Sequence, residues 1–279
     1  MNKQWYRLEF KQVTPLHIGK YNYGVLSETR IFIPGWTMWG ALVNHYGQFK
    51  GGREKDFEVG KKAFETVTCF FPMLKDKQEV VLFPEYKNGR YYFGEYTEDL
   101  FRIETTDVNI STSIQPDVFS AREESLHEIE VVLPKLRNKN QLYWAGLLAL
   151  NEDRAEDART FLKEGVEIIV GGDSRYGLGK LILNSGLVEA GNRDLEDWNM
   201  GLKGNPNLSK SLRNYAMLSG GCIVEGEIEH VITELDFSRS TPVVKESKIV
   251  IIPGSRLKSA GPPSGKPEFR LVKGIYEFK

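Results

Sequence analysis

The chain has 279 residues, 41% hydrophobic and 27% charged, with 37 Lys and Arg balanced by 38 Asp and Glu. That is enough for one large domain or two small ones around a real core, and the composition is that of an ordinary soluble globular protein. No run of 18 apolar residues argues for a membrane span, and the polar, alternating Met1–Lys11 has no secretory h-region, so a cytoplasmic location is expected by default.

Two distant cysteines, Cys69 and Cys222, and four scattered histidines form neither a disulfide framework nor a zinc spacing, so no metal and no cofactor is expected. The near-zero net charge argues against a nucleic-acid partner, but its distribution argues for one. Residues 1–62 hold ten Lys and Arg against five Asp and Glu, residues 239–279 nine against three, and residues 95–157 six against fourteen. Two basic ends around an acidic middle can still form a phosphate-binding face.

Tyr6, Leu8 and Phe10 alternate with Arg7, Glu9 and Lys11, which predicts a strand with one buried face. Thr14–Gly24 is rich in turn residues, and Ile31–Ile33 is a short extended piece stopped by Pro34-Gly35. Trp39, Leu42, Val43 and Tyr46 then fall on one helical face that ends near Gly47. A second helix is expected within Phe57–Phe71. Strands are expected at Glu79–Phe83 and Arg90–Tyr96, with Lys87-Asn88-Gly89 as a hairpin turn.

Thr105–Glu124 lacks periodicity and reads as a long excursion. Glu128–Leu133 and Leu142–Leu150 return to strand-like or buried runs. Arg154–Lys163 is a helix stopped by Gly165, Val166–Val170 a buried strand, Gly171–Gly179 a glycine loop and Lys180–Leu183 the strand leaving it. The core over 5–184 is thus an α+β, ferredoxin-like β-α-β-β-α-β unit with insertions. Residues 1–189 form that domain. Residues 190–279 form a connector, with a short helix around Leu208–Leu218, and a smaller β-rich part containing a flexible Gly261–Pro267. Ile33-Pro34-Gly35 is echoed by Ile252-Pro253-Gly254, weak support for a repeat.

The loop Gly171-Gly172-Asp173-Ser174-Arg175-Tyr176-Gly177-Leu178-Gly179-Lys180 matches neither a Walker A nor a Rossmann fingerprint, since the spacing fails and a strand follows. Its glycines would let the backbone approach a ligand and offer N–H groups to an anion. Arg175 can fork onto a phosphate and Tyr176 can stack on an unpaired base. A ligand-free glycine hairpin is the equal alternative. His17, in Pro15-Leu16-His17-Ile18-Gly19, suits a base, an RNA contact or a structural role. His45, on the first helix, suits a general base but has no partner at readable spacing. Trp36 and Thr37 stand where helix N–H groups favour an anion.

Taken in order, Thr14-Pro15-Leu16-His17-Ile18-Gly19, Ile33-Pro34-Gly35 with Gly40-Ala41-Leu42, the excursion Thr106–Glu130 and the Gly171–Gly179 loop resemble the RAMP superfamily of CRISPR-associated proteins. The resemblance covers roughly residues 5–184. It implies a modified RRM fold that holds CRISPR guide RNA beside other subunits of a type III effector complex, with target RNA as a further ligand and no membrane.

The RNA contacts it implies are His17, Lys20, Arg30, Trp36, Thr37, Gly171, Gly172, Ser174, Arg175, Tyr176, Gly177, Gly179 and Lys180. The excursion, about 105–130, resembles the thumb of type III members, with Thr112, Gln115 and Phe119 on it. Backbone subunits carry an Asp for target cleavage between the two motifs. Lys20–Phe32 has Glu28 and no Asp, which favours a non-catalytic subunit capping the 5′ repeat-derived handle. The rivals are a repeated backbone subunit and a metal-independent endoribonuclease using His45 or His17.

Overall fold

The computed structural model describes residues 3–76, 78–218, 221–236, 238, 240–260 and 268–278; the Gly261–Pro267 stretch expected to be flexible lies outside them. Strand β1 (Lys3–Gln12) has the expected alternation. A β-hairpin, β2 (Gly19–Tyr23) and β3 (Leu26–Thr29), follows where a loop was expected, and then α1 (Gly35–Phe49) and α2 (Glu54–Ala63). Helix α2 ends earlier than the sequence suggests. Thr66–Phe70 is drawn into extended pairing, with Val67 bridging Leu148 and Phe70 bridging Ile33, as suits its β-branched residues.

Short strands β4 (Phe71–Lys75), β5 (Glu79–Val81), β6 (Pro84–Lys87), β7 (Arg90–Phe93) and β8 (Tyr96–Thr97) lead to α3 (Glu98–Thr105). The expected Lys87-Asn88-Gly89 turn joins β6 to β7, with Asn88 and Gly89 both at positive φ, the conformation that makes Asn-Gly a hairpin signal. The excursion is a β-arm. β9 (Thr106–Ser111) pairs with β12 (His127–Val132), and its tip holds β10 (Ile114–Gln115) and β11 (Ser120–Ala121). β9 and the tip strands are exposed almost throughout, so no single-face alternation was selected and the sequence shows no strand period.

After β13 (Leu142–Asn151) come α4 (Glu152–Phe161), β14 (Glu167–Ile169), a 3-10 turn (Ser174–Tyr176) and β15 (Lys180–Leu183). The main sheet runs β14-β15-β1-β13-β4-β5, every neighbour antiparallel. Its β15-β1-β13-β4 portion has the 4-1-3-2 order of a ferredoxin-like core. On one face Tyr6, Leu8, Phe10 and Trp144 pack against Leu42, Tyr46 and Phe161 of the helices.

Residues after β16 (Val188–Glu189) and α5 (Asn192–Asp197) cover the other face. β17 (Tyr215–Met217), β18 (Cys222–Glu225), β19 (Ile228–Asp236), β20 (Val243–Ile251), β21 (Arg256–Ala260), β22 (Phe269–Val272) and β23 (Ile275–Phe278) include a sheet ordered β19-β20-β17-β23-β22. The helix expected around Leu208–Leu218 does not form. Leu212 and Tyr215 donate backbone hydrogen bonds to Ser255 and Gly274, so tertiary pairing takes groups a helix would have used. A second core forms where Trp5, Leu147 and Ala149 meet Trp198, Ile251 and Tyr276.

Ile33-Pro34-Gly35 opens a helix and Ile252-Pro253-Gly254 leads into β21, so the echo is not one of local structure. Gly35 is needed for another reason. A Cβ there would stand 2.4 Å from the Cα of Gly274, in the β22–β23 turn. Among the described residues no helix is long and apolar enough to cross a membrane.

Candidate RNA interface

The sheet face on which a simple RRM stacks bases is buried here under the second core. That face is therefore closed to stacking bases. The structure gathers Ile18–Lys20, the first turns of α1 and Gly171–Gly172 around one groove of about 750 Å³. Its remaining wall is edge strand β19, with Val231, Ile232 and Leu235. That wall is not legible in the sequence, because β19 is nearly 200 residues from α1 and nothing local marks the contact.

The glycine loop is pinned from beneath. The Gly172 N–H donates to the His17 carbonyl at 2.9 Å, Gly179 N–H to Pro15 at 2.8 Å and Lys180 N–H to the Thr14 hydroxyl at 2.9 Å. Tyr176 and Gly177 N–H groups close the 3-10 turn on Asp173 and Ser174. The expected array of free glycine N–H donors is thus largely used inside the protein. The glycines serve contact and conformation instead. With φ near +85°, a Cβ at Gly171 would lie 2.2 Å from the His17 oxygen, and one at Gly179 2.0 Å from the Val170 oxygen. Gly177, also at positive φ, faces open space. Ser174, Arg175 and Tyr176 point outward, Tyr176 with 80% of its surface exposed.

Two expected contacts turn out to be framework. His17 is 5% exposed; its Nδ1–H donates to the Glu130 carbonyl at 2.7 Å, which joins the motif to the base of the arm. Arg30 is 8% exposed and forks onto Glu229, with Nη1–Oε2 at 2.8 Å, and onto the Tyr215 hydroxyl at 3.1 Å. Burial alone would lower its pKa. The Tyr215 and Glu229 oxygens outweigh this and hold the guanidinium more firmly charged than usual. Imidazole and guanidinium suit an RNA contact by type, and they suit buried polar joints equally.

Lys20 remains at the groove, shared between Glu28 at 3.1 Å and Glu98 at 3.6 Å. Trp36 and Thr37 line it, with Trp36 packed on Tyr215 at 4.7 Å between ring centroids. Lys180 bridges to Glu167 at 2.8 Å. On the arm, Thr112 meets Ser125 at 2.8 Å, Gln115 pairs with Ser120, and Phe119 is 90% exposed with φ 50°. His45 accepts the Ile169 N–H on Nε2 at 2.8 Å. The lone pair a general base would use is engaged at the edge of β14.

An antiparallel ferredoxin-like sheet with a β-arm, a pinned glycine loop and a groove at one end defines an α+β scaffold of ferredoxin-like type with insertions. No protein-family model and no curated protein matches the sequence. Solved structures do share the fold. One is a chain of the type III-B Cmr-beta complex bound to cognate target RNA, with a TM-score of 0.59 at 12% identity over 90% of this chain and 86% of that one. Another is a chain of the same complex with cognate target RNA and AMPPnP, with a TM-score of 0.54 at 14% identity over 90% and 85%. The chain shares its fold with these chains of the type III-B Cmr-beta complex.

Proposed function

We propose that this chain is a non-catalytic, RNA-binding subunit of a type III CRISPR effector complex that holds the guide RNA, at its 5′ repeat-derived handle, beside other subunits and near target RNA. The observation that carries the RNA reading is the outward pair Arg175–Tyr176, on a loop whose backbone is fixed from beneath and which borders the groove of about 750 Å³. The fold match supports the complex, since it spans 90% of the chain and both of its layers. Two features support a non-catalytic role. The β2–β3 hairpin carries Glu28 and no Asp, and Glu28 is tied to Lys20 and Arg102. The histidines proposed as bases are buried or engaged.

The test is binding of labelled guide RNA by the purified chain. Arg175→Ala removes one charge-assisted contact, about 1.5–3 kcal/mol, and weakens binding roughly tenfold or more. Unchanged affinity in a folded Arg175→Ala protein rejects the loop as an RNA reader. A repeated backbone subunit is a second reading, favoured by the arm with its exposed Ile114 and Phe119. One copy per purified complex supports the cap; several support the backbone.

A further inference from the structure

Many described cations sit against carboxylates: Arg7 on Glu9 and Asp194, Lys75 on Glu9 and Glu79, Arg102 on three glutamates. The turn between β12 and β13 gathers three that do not. Lys135, Arg137 and Lys139 are all exposed, and among the described residues none has an ion pair. They are three of the six cations in the acid-rich stretch 95–157, so the composition of that stretch conceals them.

The turn is built, not slack. Leu136 is buried beneath it, and its N–H donates to the Asn140 carbonyl at 2.9 Å. Lys139 N–H returns to the Leu136 carbonyl at 2.8 Å; Arg137 N–H reaches Glu104 at 3.1 Å, and its Nε reaches the Ile103 carbonyl at 2.6 Å. Lys139 has φ 71°, a conformation where glycine or asparagine is usual.

The turn is also joined to the glycine loop. Gln141 Nε2 donates to the Gln12 carbonyl at 2.8 Å, Gln12 Nε2 to the Thr14 carbonyl at 2.9 Å, and the Thr14 hydroxyl accepts from Lys180 N–H at 2.9 Å. Both therefore occupy the same end of the sheet, with only the end of β1 between them.

We propose that Lys135, Arg137 and Lys139 form a second phosphate-binding surface that carries the same RNA strand onward from the glycine loop; this rests on the RNA reading above. Between Lys135 and Lys139 the turn shows charge with little apolar surface, because the one apolar side chain there, Leu136, is buried. That suits a phosphate backbone and leaves an acidic protein partner little to bury.

The experiment uses the full chain and a fluorescein-labelled single-stranded 20-mer RNA of mixed sequence, with anisotropy followed across salt. Three phosphate contacts contribute about 0.7 each to the log–log salt slope, so Lys135→Gln with Arg137→Gln and Lys139→Gln lowers it by about 2. Lys139→Gly alone lowers it by about 0.7 while its melting temperature holds or rises, because glycine is at ease at that φ. Loss of binding through unfolding cannot mimic this. If wild type binds RNA and the triple variant keeps its slope, the second surface is refuted while the loop reading stands. Release of an acidic partner protein by the triple variant, with the RNA slope unchanged, gives the surface to that partner. Failure of wild type to bind RNA overturns both readings.

Discussion

The joint between the two layers can be tested at Arg30. Its guanidinium lies between Glu229 on β19 and Tyr215 on β17, and both charged side chains are less than a tenth exposed. Arg30→Ala leaves the Glu229 carboxylate buried without its partner and takes a donor from the Tyr215 hydroxyl. Breaking one side of such a pair costs roughly 3–5 kcal/mol, because the remaining charge is uncompensated, whereas removing both charges is often nearly neutral. At about 2–4 °C per kcal/mol for chains of 150–250 residues, the single variant should melt roughly 6–20 °C below wild type. Arg30→Met combined with Glu229→Leu should recover most of that loss. Thermal unfolding by circular dichroism of wild type, Arg30→Met, Glu229→Leu and the double variant completes a cycle, with Arg30→Ala measured beside it. A double variant as unstable as Arg30→Ala would refute the uncompensated charge as the cause, and a single variant within about 1 °C would show that the joint contributes little.

Other outcomes are equally specific. Gly179→Ala places a methyl 2.0 Å from the Val170 oxygen and should destabilise the protein clearly more than Gly177→Ala, which meets only the positive-φ penalty of about 1 kcal/mol; equal melting temperatures would contradict the contact argument. Burial holds the His45 imidazole below its ordinary pKa, and its bond from Ile169 needs the neutral ring. The unfolded chain takes up that proton near pH 6.5, before the folded one. This share of stability is therefore complete above about pH 6.5 and is lost as pH falls toward the lower folded value. Denaturant melts at pH 7.5 and 5.5 should show the wild type's margin over His45→Gln shrinking at the lower pH, and a constant margin would count against it. Incubation of repeat or target RNA with the chain, with and without Mg²⁺ or Mn²⁺, should give no specific cleavage; cleavage lost in His45→Ala would make the endoribonuclease reading the better one.

Much of the fold was legible because one-sided burial leaves a period. Tyr6, Leu8 and Phe10 announced β1, and Trp39, Leu42, Val43 and Tyr46 announced α1. Asn88-Gly89 announced its hairpin because its backbone conformation is demanding. The β-arm escaped because its strands have no consistently buried face to impress a pattern on the sequence. The Leu208–Leu218 helix does not form because Tyr215 and Ala216 bury through strand pairing and Leu212 is held by its N–H on the Ser255 carbonyl. The motif order suggested the glycine loop and its outward Arg175 and Tyr176, which the structure presents on the surface.

Only the tertiary structure decided what the motif residues do. His17 and Arg30 have side chains suited to RNA, yet partners 113 and 199 residues away bury them. Gly35 reads as a turn glycine until the approach of Gly274 shows that no side chain fits there. The basic turn Lys135–Lys139, inside an acid-rich stretch, shows as a cluster of exposed unpaired cations only once the carboxylates around it are placed. A sequence states which groups a chain owns and how locally periodic their burial is. Which polar groups remain unpaired depends on contacts between distant segments.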